Sequence, residues 1–253
     1  WWDYGYWVQS LGERATILDG GNAITYWNHL MGRHVLTGPS EEDALEFLYS
    51  HNATHLLIDS SEIGKYTAYS SIGADENYDR FSWITSFSMD ERQTTETSNF
   101  TKYVYVGGTA TDEDIIWVDK NGREILLPGK KTGIGGIIVS LSDSGVAGQP
   151  IGVFIYNNQQ YEIPLKNIFI AGKLIEFESG LDAGIFIYPS VNQANGDTNI
   201  NRIGAAFYLS PRTIHSGIAR WYLFGEESEY VKLAYLEPNA VAASLQSQGV
   251  LNN

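Results

Sequence analysis

The sequence predicts an α+β fold, with a mainly helical central core interrupted by a β-rich insertion that forms a small sandwich or barrel. Three observations predict it. Helix-start signals concentrate before residue 98. Short alternating strands joined by tight-turn sequences fill 102–191. A helix-start signal then returns at Ser210. The expected parts are 1–98, the first part of the core; 99–191, the insertion; and 192–253, the rest of the core with a frayed tail.

In chain order, Ser40-Glu41-Glu42-Asp43 precedes Ala44, Leu45, Phe47 and Leu48. A hydroxyl followed three residues later by a carboxylate is a capping box, so a helix starts there. Residues 55–58 read as a short buried strand. Asp59-Ser60-Ser61 caps a second helix over 62–71, and polar 93–98 reads as a loop. Residues 102–106 alternate as a strand does. Ile115–Val118 and Glu124–Leu127 flank Asp119-Lys120-Asn121-Gly122, a hairpin turn. Ile151–Tyr156 and 160–165 flank Asn157-Asn158, which tolerates left-handed geometry. Further strands are expected at 168–170, 174–177 and 185–188, and glycine-rich 129–136 reads as a turn. After a strand at 203–209, Ser210-Pro211 opens a helix that Gly225 ends. Residues 230–236 read as a last strand, and 239–253 as a frayed tail.

The 253 residues suit one large domain or two small ones, and a hydrophobic share of 43% supplies a real core. The net charge of −14 makes nucleic acid a poor partner and opposes docking on anionic lipid. Without cysteine, disulfides and thiolate metal sites are excluded. No apolar run reaches the ~20 residues that span a bilayer. A dense aromatic cluster beginning at Trp1, with no initiator Met, is expected of a piece of a longer chain.

His29, His34, His51, His55 and His215 show no metal-ligand spacing. Asp112-Glu113-Asp114 and Glu226-Glu227 read as solvated loops, with a weak Ca²⁺ site as the alternative for such runs. Ser216 beside His215 makes no catalytic triad. Asn52-Ala53-Thr54 and Asn99-Phe100-Thr101 are glycosylation sequons. Asn99, in the polar linker, is the one expected to be used.

Trp1-Trp2-Asp3-Tyr4-Gly5 carries the most distinctive chemistry. An indole N–H only donates and a carboxylate only accepts, so together they satisfy both halves of a small hydroxyl. A ligand lacking that hydroxyl leaves buried groups unpaired, which costs factors of about 10⁴. Gly5 allows a tight turn behind them. Glu62-x-x-Lys65-x-x-x-Tyr69 sets three side chains on one helix face. There the Lys65 stem offers apolar surface while its ammonium pairs with Glu62.

The first word resembles, at every position, the WWDYG motif of oligosaccharyltransferase catalytic subunits, which attach glycans to asparagine in Asn-x-Ser/Thr sequons. The Glu62 frame resembles the family's Asp-x-x-Lys-x-x-x-Met/Ile helix, with Glu62 for Asp and Tyr69 for Met or Ile. Leu18-Asp19-Gly20-Gly21-Asn22 resembles the family's Asp-Gly-Gly segment, and 210–217 leading into 220–225 resembles the late helix of archaeal and bacterial members.

The resemblance implies the C-terminal domain of a glycosyltransferase, archaeal in type, held on the extracytoplasmic face of a multi-pass membrane protein. It implies that Trp1, Trp2, Asp3, Tyr4, Gly5, Glu62, Lys65 and Tyr69 bind the sequon of an acceptor polypeptide. By the same resemblance, the catalytic residues, the Mn²⁺ or Mg²⁺ ion and the lipid-linked oligosaccharide belong to membrane loops outside this sequence, so the fragment alone is inactive. Two other classes are also open: an extracellular carbohydrate-binding domain and a structural cell-surface domain.

Overall fold

The computed structural model describes residues 1–119, 121–194 and 197–237. Its largest unit is a closed barrel built from strands that alternate inward apolar and outward polar residues. The elements are β1 (Thr85–Met89), β2 (Thr95–Glu96), β3 (Phe100–Ala110), β4 (Ile115–Val118), β5 (Glu124–Leu127), β6 (Gly133–Ser142), β7 (Ile151–Tyr156), β8 (Gln159–Ile170), β9 (Lys173–Glu176), β10 (Leu181–Ala194) and β11 (Asp197–Leu209). The order around the barrel is β1-β11-β10-β8-β7-β6-β3, closed by Ser88 opposite Val106 and Met89 opposite Tyr105. Neighbouring strands are antiparallel except β8 and β10, which pair in parallel, while β9 pairs antiparallel with the end of β8. Phe87, Tyr105, Ile137, Phe154, Leu165 and Ile185 fill the interior.

This corrects the expectation of a mainly helical core. Strand makes up 35% of the chain against 25% helix, and the barrel is the main body. The reason lies in β1 and β11, which neighbour each other and join the ladder from either side of the strand-rich middle.

The helices form a layer beside the barrel: α1 (Gly5–Gly12), α2 (Thr25–Leu30) running into a π-helical turn (Met31–Leu36), α3 (Glu41–Ser50) and α4 (Tyr66–Gly73). α3 starts as expected, with the Ser40 hydroxyl accepting from the Asp43 amide at 3.1 Å. α4 crosses the π-helical turn at backbone contact. A Cβ on Gly32 would lie 2.6 Å from the Tyr69 carbonyl, and one on Gly73 2.5 Å from the Arg33 nitrogen. Val35, Leu36, Ala44, Phe47, Tyr66, Tyr69 and Ile218 form this layer's core. A second cluster, around Leu209, Ile214, Ala219 and Leu223, joins the layer to the barrel's outer face, where Phe169, Phe186 and Phe224 stack on one another.

Several local expectations change. Residues 55–58 are extended but pair with no strand. Leu56 and Ile58 turn to the helical core while Leu57 is exposed. The helix expected over 62–71 splits into a 3₁₀ turn (Ser60–Glu62) and α4. The late helix splits into α5 (Pro211–Ile214) and a π-helical turn (Ile218–Leu223), and a Cβ on Gly217 between them would lie 2.0 Å from the Val35 carbonyl oxygen. The glycines at 133, 135 and 136 lie within β6 rather than in a turn, and 93–98 contains β2.

Residues 230–236 form no strand, and Tyr230, Leu233, Tyr235 and Leu236 are exposed. The acidic run is not simply a solvated loop. Asp112 is buried and accepts from the Ser82 and Ser210 hydroxyls, and Glu113 pairs with Arg212 at 3.1 Å. Glu226 likewise pairs with Arg220. Lys120 and the expected frayed tail, 239–253, lie outside the described residues.

Candidate functional site

The first five residues wind into a 3₁₀ turn (Trp2–Tyr4) that runs directly into α1. Gly5 is buried at the joint. A Cβ there would lie 2.2 Å from the Leu18 carbonyl oxygen and 2.5 Å from Asp19 Cα, so only glycine lets the segment at 18–21 lie against the turn. Asp19 fixes that segment by accepting from Gln9 Nε2 at 2.9 Å and from the Gly21 amide at 2.8 Å. The hydrogen bond from Gln9, then that from Gly21, holds its carboxyl below the ordinary value. Two of the sequence motifs therefore touch.

The third motif arrives from the start of α4. Lys65 sits at its N-terminal boundary and reaches back to the first turn. Its ammonium is ion-paired with Asp3 Oδ2. It also lies 3.4 Å from Glu62 Oε1, 3.3 Å from the Tyr4 hydroxyl and 4.3 Å from the Tyr4 ring centroid. Burial alone would lower the Lys65 pKa. The hydrogen bonds to Asp3 and Tyr4 and the charge of Glu62 outweigh it, so the group is held above the ordinary value and stays an ammonium. Glu62 is 1% exposed. Asp3 Oδ1 and Glu62 Oε2 are both buried with no hydrogen-bond partner among the described residues.

The expected site residues divide by role. Asp3, Tyr4, Glu62 and Lys65 form one charged cluster. Trp1 packs among the residues of the helical core and its ring meets that of Tyr69 at 5.8 Å. Tyr69 is fully buried and donates to the Glu62 carbonyl at 3.0 Å, so it is the floor under the cluster rather than its surface. Burial, with Tyr66 and Glu62 beside it, pushes the Tyr69 phenol far up. Trp2 is half-buried, and neither its indole N–H nor that of Trp1 has a hydrogen-bond partner among the described residues.

Two residues here escaped sequence reasoning. The Tyr4 hydroxyl lies 2.8 Å from Ser61 Oγ and 3.5 Å from Asp59 Oδ1. Asp59 is readable from sequence as a cap, and its carboxylate does accept from the Ser61 amide at 2.8 Å. That the same carboxylate anchors Tyr4 appears only once the chain is folded, because 55 positions separate them.

The cluster holds no nucleophile with an adjacent base. It offers free carboxylate acceptors and indole donors around a fixed cation, which suits binding more than bond-breaking. No three His, Asp or Glu side chains converge as metal ligands among the described residues. A cleft of about 460 Å³ lies elsewhere, among Asp112, Glu113, Asp114, Lys130 and Arg212. Its Arg212 is already engaged by Glu113 and by the carbonyls of Tyr78 and Phe81. No helix is long and apolar enough to cross a membrane among the described residues.

No family model matches the chain. No curated protein matches it either. Among solved structures, the chain is similar to the crystal structure of the C. jejuni PglB C-terminal domain. The identity is 13%, over 90% of this chain and 85% of that one, with a TM-score of 0.38.

Proposed function

We propose that this chain is the acceptor-binding domain of a membrane oligosaccharyltransferase, reading the hydroxyl of an Asn-x-Ser/Thr sequon. The observation that carries the reading is the meeting of the WWDYG word with Glu62 and Lys65. Residues about sixty positions apart converge on one ammonium, which pairs with Asp3 and lies 3.4 Å from Glu62. Lys65 takes one oxygen of Asp3 and orients the other, Oδ1, which is left without a partner. An unpaired buried carboxylate oxygen costs about 1–3 kcal/mol, and a Ser or Thr hydroxyl donating to it removes that cost. The Trp2 indole N–H supplies the complementary donor. Trp1, against Tyr69, keeps the turn in place.

The chemistry of transfer belongs on this reading to the membrane part of the parent enzyme, with Mn²⁺ or Mg²⁺ bound there. This domain contributes position, holding the asparagine where the donor can meet it. The test is the full-length parent assayed with Asn-x-Thr and Asn-x-Ala peptides, in the native form and as Asp3→Asn and Lys65→Met. The native enzyme should modify only the Thr peptide. Each substitution should lower kcat/KM by about ten- to a hundredfold, the worth of a hydrogen bond to a charged group. Full activity in both variants removes the reading, as does equal use of the Ala peptide.

A further inference from the structure

Two sequons lie on this chain, and the structure gives them opposite surroundings. Asn99 is exposed, but it sits at the mouth of the β2–β3 hairpin. The next residue is tied down: the Phe100 carbonyl accepts from the Thr97 amide at 2.9 Å and from the Thr97 hydroxyl at 2.8 Å. The Phe100 amide donates to Thr97 Oγ1 at 3.2 Å. The sequon hydroxyl residue, Thr101, lies in β3 between two neighbours, opposite Glu96 on one side and Leu141 on the other. Drawing 99–101 into another protein's groove means breaking the hairpin and a barrel ladder.

Asn52 ends α3. It adopts the left-handed conformation at φ +53°, and its amide and that of Ala53 close the helix on the Tyr49 and Leu48 carbonyls at 3.0 and 2.9 Å. That task uses only backbone. The Asn52 side-chain amide makes no hydrogen bond among the described residues. Asn52 and Thr54 are both exposed, and 53–59 has neither strand pairing nor helix. Among the described residues, the Thr54 hydroxyl is held only by neighbouring His55, at 3.0 Å.

We infer that Asn52, and not Asn99, is a glycan acceptor on the folded domain. The inference rests on the oligosaccharyltransferase reading, because the parent enzyme supplies the transfer. In the step, Asn52 Nδ2 bonds to the anomeric carbon of a lipid phosphate-linked oligosaccharide. The bond from that carbon to the phosphate oxygen breaks, and the oxygen keeps the electron pair. The amide nitrogen loses one proton to solvent.

The experiment uses the full-length parent, made unmodified in a host without N-glycosylation. It is incubated, folded, with membranes of the source cells, which carry their own donor and enzyme. Peptide mapping then reads both sites, and a free peptide of sequence His-Asn-Ala-Thr-His is the control. The expected result is modification at Asn52 exceeding that at Asn99 by about tenfold or more, the worth of one or two ladder hydrogen bonds. The preference should vanish when the chain is first unfolded in urea. Thr54→Ala, which keeps Asn52 as the helix terminator, should abolish the signal. An unmodified Asn52 beside a modified control peptide overturns the inference alone, and so does Asn99 occupied as fully as Asn52. A control peptide left unmodified overturns the function reading, and the inference with it.

Discussion

At the level of single residues, the site depends on how few alternatives its positions allow. Gly5 is the sharpest case, because the Leu18 carbonyl and Asp19 backbone occupy the space a side chain would need. Gly5→Ala must push the segment at 18–21 away from the first turn, and a destabilisation of about 1–3 kcal/mol is expected in urea unfolding. Stability equal to the native chain would mean that the contact yields easily. That Asp3, Tyr4, Glu62 and Lys65 come together was legible from the five-residue word and the Glu62 frame. Their division of labour was not. Trp1 reads as a binding residue from its indole donor and Tyr69 from its place on the helix face, yet both are packed inward. Tyr4 drew its partners, Asp59 and Ser61, from a distant loop that no local spacing could announce.

At the level of elements, α3 was readable because its cap is local chemistry between Ser40 and Asp43. The unpaired extension at 55–58 and the π-helical turns were not, because tertiary contacts decide them. The crossing of α4 with the π-helical turn is such a contact, secured at its end by Arg33 and Asp79. The two guanidinium nitrogens of Arg33 donate to Asp79 at 3.1 and 2.9 Å. Burial pushes the Asp79 pKa up, but the hydrogen bonds from Arg33 and the Asp75 amide overcome it and bring the value from 3.8 to about 2. A depressed carboxyl stabilises the fold fully above 3.8, and the contribution fades as pH falls toward 2. Because the pair is partly exposed, about 1 kcal/mol is expected rather than the full electrostatic value. Asp79→Asn should therefore be less stable at pH 7 by that amount and should approach the native chain near pH 2. A constant gap across that range in denaturant titrations would contradict the assignment.

Considered whole, the molecule is a barrel with a helical layer, and the error over its main body has a plain origin. Single strands in the middle were legible from alternation and hairpin turns. The pairing of β1 with β11 was hidden, because it joins positions more than a hundred residues apart and leaves no local pattern. The net charge of −14 acts on the whole body. Self-repulsion opposes compaction, so added salt should raise the urea midpoint, with most of the gain by about 0.2 M as the screening length falls below 10 Å. A midpoint that falls over this range would mean that specific ion pairs outweigh the net charge.

The helical core joins residues 31–69 to Ile218 and Trp221 from beyond the barrel. As the chain leaves the ribosome, its early helices lack the cover of Ile218 and Trp221 until every barrel strand has been made. Truncation before residue 218 should thus yield a nascent chain that chaperones retain and proteases clear, although the WWDYG and Glu62-Lys65 segments are already complete.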